Sequence, residues 1–350
     1  MTYDQQLDFR MNSSLPQTMD NAPLCYEFFN GSCPKLDYPL FLKVPLYIIF
    51  GFVVILTVLG NLFVIITIFH FKQLHMPTNY FVLSLAVTDL LLGGFLMPPG
   101  LVQSVETCWY FGSLFCKIYN SVSIMLCTAS ILNLSFISID RYFAVCQPLL
   151  YQTKITPFVT LIMISICWSV SIIVGFGIIF LELNILGIEE FYYDNFVCEG
   201  ACVLLQSAVS STASSFLSFY LPGIVMLCIY MKIFRVAQKQ AKSIQDSKSK
   251  NMQSSLSKEE KKATKTLAVV LGVFLSLWLP FFFCNVINPF IGYSVPPVLI
   301  DALVWVGYMN STFNPIVYAF FYKWFRKAFR MMLSGQIFQP GSSRTNLFSH

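Results

Sequence analysis

Residues 44–69 read VPLYIIFGFVVILTVLGNLFVIITIF, and this run contains no charged side chain. About 20 consecutive apolar residues in an α-helix are enough to cross the hydrocarbon core of a bilayer. Six further runs of similar length follow, at residues 79–104, 115–139, 157–181, 203–231, 266–291 and 295–322. The sequence therefore predicts an all-α membrane protein with a bundle of seven transmembrane helices over residues 44–322.

The composition fits a membrane protein better than a soluble one. Of the 350 residues, 56% are hydrophobic and 11% are charged, whereas a soluble domain has about 25% charged residues. A soluble core could not bury this much apolar surface, but the bilayer interior accepts it. The net charge of +5 does not predict nucleic acid as a partner, because the basic residues cluster at the ends of the apolar runs.

The charges between the runs predict the orientation of the chain. Basic residues gather at one set of helix ends, whereas the opposite ends carry Glu106, Glu189, Glu190, Asp194 and Glu199. Because basic loops remain in the cytoplasm, we expect a multi-pass plasma-membrane protein with residues 1–43 outside the cell. Asn12 and Asn30 in this outer segment each begin an Asn-x-Ser motif and are predicted glycosylation sites.

Three stretches on the predicted cytoplasmic side differ in composition. Residues 238–262 are rich in Lys, Ser and Gln and are expected to form a flexible linker. In residues 323–334, basic and aromatic side chains alternate at helical spacing, which predicts a short cytoplasmic amphipathic helix on the membrane surface. Residues 335–350 are expected to form a disordered cytoplasmic tail.

Asp89 lies inside the second apolar run, where an ionisable residue indicates a functional site. Its candidate partners from other runs are Asn61, Ser130, Asn310 and Asn314. A carboxylate among hydroxyl and amide oxygens suits a hard cation, so we predict a sodium site at Asp89, Ser130 and Asn310. The alternative is a purely structural carboxylate. Apart from this ion, the sequence indicates no cofactor.

Asp140-Arg141-Tyr142 ends the third run at the cytoplasmic face. An arginine can bind a carboxylate through two parallel hydrogen bonds, and Glu260 at the base of the sixth run is the predicted partner of Arg141. Such a pair between two helix ends is a latch that a helix movement can break.

Prolines inside the runs predict kinks near the middle of the membrane. The sixth run carries Trp278-Leu279-Pro280, and the seventh carries Asn314-Pro315-Ile316-Val317-Tyr318. Kinked helices can hold a ligand between their outer halves while their cytoplasmic halves swing. The residues predicted to form the switch and to couple it to a partner are Asp140, Arg141, Tyr142, Tyr230, Glu260, Asn314, Pro315 and Tyr318.

The order and spacing of these motifs resemble the rhodopsin-like G protein-coupled receptors over residues 44–332. The resemblance rests on Asn61, Leu85-Ala86-Val87-Thr88-Asp89, Asp140-Arg141-Tyr142, Trp168, Trp278-x-Pro280 and Asn314-Pro315-x-x-Tyr318. Within that class, residues 70–79 (HFKQLHMPTN), 106–112 (ETCWYFG) and 301–315 (DALVWVGYMNSTFNP) are similar to the trace amine-associated receptors.

The resemblance implies a receptor that senses a small extracellular ligand, such as a biogenic amine, and activates a heterotrimeric G protein of the cAMP-raising stimulatory or olfactory type. It also implies disulfide bonds between Cys116 and Cys202 and between Cys25 and Cys198, with Cys25–Cys33 as the alternative to the second. The ligand is expected to contact Ser123, Ile124, Cys127, Ser214, Ser215, Trp278, Phe281, Phe282, Val304, Tyr308 and Asp301.

The chain departs from the family where an amine should bind. Relatives hold the ammonium with an aspartate in the third or the fifth span, and the matching positions here are Ser123 and Ser214. A buried ammonium without a counter-ion is penalised by several kcal/mol, and a hydrogen bond to serine offsets only about 1 kcal/mol. Three alternatives remain open. An outer carboxylate (Asp301, Glu199 or Glu106) binds the ammonium, aromatic faces bind it, or the ligand is not a primary amine.

Other functional classes fit less well. A transporter or channel is disfavoured because the runs carry almost no charge beyond Asp89 and Asp301 and no inverted repeat is evident. An enzyme is disfavoured because the sequence has no catalytic triad pattern, metal-spaced His/Cys cluster or Gly-rich phosphate loop, and only 3 histidines. A receptor of this fold without a small-molecule agonist is a further alternative.

Overall fold

The computed structural model describes residues 23–29, 31–246, 253–321 and 323–347, without the side chains of residues 237, 240–246, 253–267 and 323. The predicted glycosylation sites, Asn12 and Asn30, lie outside the described residues.

Seven long helices lie within the described residues. They are span one, Leu40–His70; span two, Pro77–Glu106; span three, Ser113–Cys146; span four, Pro157–Phe180; span five, from Ala208–Ser215 through Leu221–Asp246; span six, Gln253–Ile287; and span seven, Pro297–Phe321. Three shorter helices are the inner-loop helix, Pro148–Lys154, the outer-loop helix, Glu189–Phe196, and the amphipathic helix, Lys323–Leu333. This is the predicted seven-helix bundle with an amphipathic helix after span seven.

Span seven differs from the other six in polarity. By length and composition, six helices among the described residues are apolar enough to cross a membrane, and they are spans one to six. The buried residues of span seven include Asn310, Ser311, Thr312 and Asn314. Two side chains of span one meet this polar stripe. Thr57 Oγ1 lies 2.6 Å from Thr312 Oγ1, and Asn61 Nδ2 donates to the Ser311 carbonyl oxygen at 3.0 Å. Because unpaired polar groups are costly in hydrocarbon, the stripe orients span seven towards the bundle interior.

Spans two and five each contain one π turn, at Leu92–Leu96 and Phe216–Tyr220. A proline follows each turn after one intervening residue, at Pro98 and Pro222. Proline has no N–H to donate and interrupts the regular hydrogen-bond ladder of a helix. The widened turns are therefore the local response of the backbone to these two prolines.

The predicted prolines of spans six and seven, Pro280 and Pro315, lie inside their helices. Span one approaches span seven closely beside Pro315, since a Cβ atom built on Gly60 would lie 3.0 Å from Pro315 Cγ. The lack of a side chain at Gly60 therefore allows this close contact.

One disulfide bond joins span three to the outer loop before span five. Cys116 pairs with Cys202, which is the pairing that the family resemblance implied. Gln103 of span two donates to the Cys202 carbonyl oxygen at 2.8 Å. The loop is therefore fixed over the outer ends of spans two and three.

Two further disulfide bonds attach the N-terminal segment. Cys25 pairs with Cys108, and Cys33 pairs with Cys198. The predicted Cys25–Cys198 bond is therefore wrong, and so is the alternative Cys25–Cys33 bond. The backbone explains the difference, because Cys33 N donates to the Glu199 carbonyl oxygen at 2.9 Å. This hydrogen bond brings Cys33, and not Cys25, against Cys198.

The predicted cytoplasmic linker is shorter than expected. Residues 238–246 continue the helix of span five, and residues 253–262 belong to the helix of span six. Residues 247–252 lie outside the described residues. The expectation of a flexible linker over residues 238–262 is therefore wrong for its two ends.

The tail after the amphipathic helix is folded as far as residue 347, so the expectation of disorder over residues 335–347 is wrong. It forms two 3₁₀ turns, Gln336–Phe338 and Ser342–Arg344. Leu347 is 1% exposed and packs with the main core, and its N–H donates to Gln73 Oε1 at 3.0 Å. Leu347 therefore holds the tail against the first inner loop, which is distant from it in the sequence.

Span three packs most extensively against span four, and Gly175 lies at their contact. A Cβ atom at Gly175 would lie 2.5 Å from the Ser121 carbonyl oxygen and 2.8 Å from Met125 Cβ. We predict that Gly175→Ala lowers the free energy of unfolding by about 1–3 kcal/mol, because the two helices must separate. The measurement is the Tm of the purified receptor in detergent.

The matched control for this substitution is Gly177→Ala on the same helix. A Cβ atom at Gly177 meets no atom within 4 Å, so its Tm should equal or exceed that of the wild type, because alanine favours helix. Equal Tm values for the two variants would contradict the close packing at Gly175.

Candidate functional site

Asp89 of span two is fully buried and bonds to span seven. Ser311 Oγ donates to Asp89 Oδ1 at 2.7 Å, and Asn314 Nδ2 donates to Asp89 Oδ2 at 2.7 Å. Asn314 was a predicted partner, whereas Ser311 was not. The spacing could have identified it, because residues three positions apart share one face of a helix.

The predicted sodium ligands Ser130 and Asn310 are both buried. Within the described part of the chain, neither forms a hydrogen bond with Asp89, and Asn310 Oδ1 has no hydrogen-bond partner. A buried oxygen without a donor is chemically suited to bind a cation. The sodium site stays a prediction.

Aromatic side chains of spans six and seven form a connected cluster. The ring of Trp278 has its centroid 5.7 Å from Phe281, 5.9 Å from Phe282 and 6.4 Å from Tyr308. Trp305 continues the cluster, with its ring 5.9 Å from that of Tyr308. The structure therefore brings the predicted aromatic residues together, in contacts that are individually worth about 0.5–1.5 kcal/mol.

Ser123, the span-three position where the family resemblance places an aspartate, lies among neutral hydroxyl groups. The side chain of Tyr308 neighbours the side chains of Ser123 and Tyr119. Asp301 precedes Tyr308 by about two helical turns, and its charge acts on the hydroxyls of both tyrosines. A carboxylate and a group of hydroxyls therefore lie near one another between spans three and seven.

No counter-charge for the Asp301 carboxylate lies among the described residues. Asp301 lies in the outer part of span seven and is exposed to water. It forms no hydrogen bond or ion pair with another described residue. It is therefore available to a cation that arrives from outside.

The other two outer carboxylates are placed differently. Glu106 Oε2 lies 3.2 Å from Lys35 Nζ and 2.9 Å from Lys43 Nζ, and Tyr47 donates to Glu106 Oε1 at 3.1 Å. These partners already neutralise Glu106. Glu199 is exposed in the outer loop.

Two amide side chains that sequence reasoning missed hold the serines of span five. Gln206 Nε2 donates to Ser214 Oγ at 3.3 Å. Asn285 Nδ2 donates to Ser215 Oγ at 3.1 Å and to Gln206 Oε1 at 2.8 Å. Asn285 follows Trp278 by seven positions, so helical periodicity could have identified it. Gln206 precedes span five in the outer loop, where no periodicity applies.

The three remaining predicted pocket residues, Ile124, Cys127 and Val304, are half-buried. Cys127 and Val304 pack against the main core, and Cys127 is a free thiol. These side chains form an apolar wall.

On the cytoplasmic side, Asp140 is fully buried and connects three elements. It accepts hydrogen bonds from Thr78 Oγ1 at 2.8 Å, Tyr151 Oη at 2.9 Å and Arg141 Nε at 2.9 Å. Spans two and three and the inner-loop helix therefore meet at one carboxylate. We call this cluster, Asp140 with Thr78, Arg141 and Tyr151, the lock. The side chain of Glu260 lies outside the described residues, so its pairing with Arg141 stays a prediction.

Three other predicted switch residues, Tyr142, Tyr318 and Tyr230, make separate contacts. Lys232 Nζ lies 5.0 Å from the centroid of the Tyr142 ring, within the range of a cation–π contact. Tyr318 is 2% exposed, and its ring centroid is 6.5 Å from that of Phe325 on the amphipathic helix. Tyr230 of span five is half-buried against the main core.

Comparisons with known proteins agree with this geometry. The family described as "7 transmembrane receptor (rhodopsin family)" matches residues 60–318. The chain is 51% identical over 332 residues to trace amine-associated receptor 1 of Macaca mulatta and 50% identical over 332 residues to that of Homo sapiens, with 93% of this chain and 98% of each relative covered. It is 46% identical over 343 residues to trace amine-associated receptor 4 of Mus musculus, with 96% of this chain and 99% of the relative covered. The chain belongs to the trace amine-associated receptors.

Membership of this receptor family decides among the functional classes. A trace amine-associated receptor is a multi-pass plasma-membrane protein that couples to a G protein and responds to a small molecule. It is neither an enzyme nor a transporter. The buried lock at Asp140 therefore lies on the side of this receptor that faces the G protein.

The lock predicts how the receptor responds to a small change at Tyr151. Burial, and after it the nearby Asp140 carboxylate, raises the pKa of Tyr151, so the phenol stays protonated and donates to Asp140. We predict that Tyr151→Phe removes about 1 kcal/mol from the locked state and raises basal signalling up to about fivefold. The measurement is ligand-free activation of a G protein at matched surface expression.

Thr153→Ala on the same inner-loop helix is the control, because the Thr153 hydroxyl donates only within its own helix, to the Leu150 carbonyl oxygen at 2.9 Å. Unchanged basal signalling in Tyr151→Phe, or an equal rise in the control, would exclude Tyr151 from the lock.

Proposed function

We propose that this receptor is activated by a small amine, that Asp301 binds the ammonium group, and that the receptor raises cAMP through a stimulatory G protein. The observation that carries the proposal is the accessible Asp301 carboxylate without a partner among the described residues. An ammonium that leaves water needs a counter-charge, and neither Ser123 nor Ser214 supplies one.

The surroundings of Asp301 complete an ammonium site. A protonated primary amine has three N–H donors and no acceptor. One N–H can bond the Asp301 carboxylate, which supplies the counter-charge in the outer part of span seven. The rings of Trp305 and Tyr308 can add cation–π contacts worth about 0.5–2 kcal/mol each. The outer carboxylate and the aromatic faces, two of the alternatives raised by the sequence, therefore act together.

The position of Asp301 along span seven also favours longer ligands. Asp301 precedes Tyr308 by seven residues, which corresponds to about 10 Å along the helix axis. Tyr308 neighbours Ser123, the position where the family resemblance places the ammonium-binding aspartate. The ammonium is therefore anchored further out than in those relatives, and a longer amine is needed to reach Trp278.

Other observations support stimulatory coupling and a sodium site. Stimulatory coupling is supported by the family resemblance of the cytoplasmic motifs. A sodium ion beside Asp89 is supported by the chemistry of Ser130 and by Asn310 Oδ1, which has no hydrogen-bond partner within the described part of the chain.

A cAMP reporter assay with primary amines of increasing length tests the proposal. We predict that Asp301→Asn raises the EC50 of an activating amine about 10- to 100-fold, because a hydrogen bond to a charged group is worth about 1.5–3 kcal/mol. Asp194→Asn is the matched control. It removes the same charge from an exposed position of the outer-loop helix and should leave the EC50 unchanged.

A second substitution separates loss of binding from loss of folding. In the Asp301→Asn background, Ser123→Asp places a carboxylate beside Tyr308 again and should restore activation by short amines. Strong activation of the wild type by amines with no effect of Asp301→Asn would rule out this ammonium site. Activation by neutral compounds alone would rule out the amine, and activation without a rise in cAMP would rule out stimulatory coupling.

A further inference from the structure

The C-terminal strap, residues 336–347, is fixed by contacts to itself, to the amphipathic helix and to the first inner loop. Ser342 is 8% exposed. Its hydroxyl donates to the Ile337 carbonyl oxygen at 2.7 Å and lies 3.0 Å from His70 Nε2. Lys327 Nζ donates to a carbonyl oxygen of the strap at 2.9 Å. The strap is therefore an ordered part of the cytoplasmic surface.

A groove of about 580 Å³ lies between the strap and the amphipathic helix. Basic groups, hydroxyls and amides line it, and they belong to Lys327, Arg330, Ser334, Gln336, Gln339 and Ser342. The side chain of Arg330 is exposed and forms no hydrogen bond or ion pair with another described residue. Because a guanidinium binds two phosphate oxygens at once, this lining suits a phosphorylated group.

The chain around the groove is basic. Residues 70–78 and 320–347 contain no Asp or Glu, and their Lys and Arg residues are Lys72, Lys323, Arg326, Lys327, Arg330 and Arg344. Basic residues next to the cytoplasmic leaflet attract anionic lipids, with a gain in affinity of about fivefold for each residue. No carboxylate side chain in these two segments competes for the basic groups.

The groove opens beside the side of the helix that faces lipid. Phe329 and Leu333 lie one turn apart and are 46% and 74% exposed, and Phe320 at the end of span seven is 76% exposed. Apolar side chains at this position enter the bilayer surface and avoid water. Arg330 is three positions from Leu333 and therefore lies beside it on the helix. A molecule in the groove can touch lipid-facing and basic side chains together.

We propose that this groove binds the headgroup of a phosphoinositide from the cytoplasmic leaflet. Arg330 and Lys327 bind its phosphate oxygens, the side-chain amides of Gln336 and Gln339 in the strap donate to the remaining oxygens, and the acyl chains run along Phe329 and Leu333. A headgroup with phosphate monoesters offers more charge and more acceptor oxygens than the phosphodiester of common lipids. This site is separate from the amine pocket and does not depend on the proposed ligand.

The test uses the full-length receptor in phosphatidylcholine nanodiscs that contain phosphatidylinositol bisphosphate, with bound lipid measured by native mass spectrometry. Arg330→Gln should weaken lipid binding about fivefold, and Arg330→Lys, which keeps the charge but cannot bind two phosphate oxygens at once, should weaken it less. Arg344→Gln is the matched control. It removes the same charge from an exposed position of the strap that does not line the groove, and it should bind lipid like the wild type.

Two outcomes would overturn the proposal. Equal losses in Arg330→Gln and Arg344→Gln would mean that the lipid responds to overall charge and not to the groove. Soluble inositol trisphosphate, added to receptor in pure phosphatidylcholine nanodiscs, should bind more weakly than the lipid because it lacks the acyl chains. Binding as tight as that of the lipid would identify the ligand as a soluble phosphate.

Discussion

The bundle depends on pairing its buried polar side chains with one another, and the two hydrogen bonds between Asp89 and span seven are the main instance. A carboxylate in the middle of a bilayer is costly unless it is paired, and Ser311 and Asn314 supply the two donors. The same constraint explains how span seven can cross the membrane although it carries many polar side chains. Thr57 and Asn61 of span one contact the polar stripe of span seven. The apolar side of span seven is left to face the hydrocarbon.

Span seven also connects the ligand pocket to this buried pair. The Trp278 ring lies so close to Gly307 that a Cβ atom there would be 2.7 Å from it. Ser311 follows Gly307 by one helical turn. A ligand that shifts the aromatic cluster therefore acts on span seven one turn from Asp89. The lock at Asp140 lies at the cytoplasmic end of the adjacent spans, so a change in these helices can reach the surface that meets the G protein.

The sequence predicted the features that composition and local spacing determine. These are the seven spans, their orientation, the membrane-embedded carboxylate and the aromatic cluster. It failed where contacts between distant segments decide the structure. The family resemblance implied a Cys25–Cys198 bond, whereas the backbone hydrogen bond that places Cys33 there has no signature in the sequence. The tail was expected to be disordered because the burial of Leu347 depends on residues far along the chain. Gln206 was missed because it lies in a loop.

The central claim is that the ammonium-binding charge lies on span seven and not on span three. A cryo-EM structure of the receptor with an activating amine and its G protein tests this directly. We predict the amine nitrogen within hydrogen-bond distance of the Asp301 carboxylate, with Tyr151 released from Asp140. An amine nitrogen bound at Ser123 or Ser214, with Asp301 turned towards water, would contradict the account.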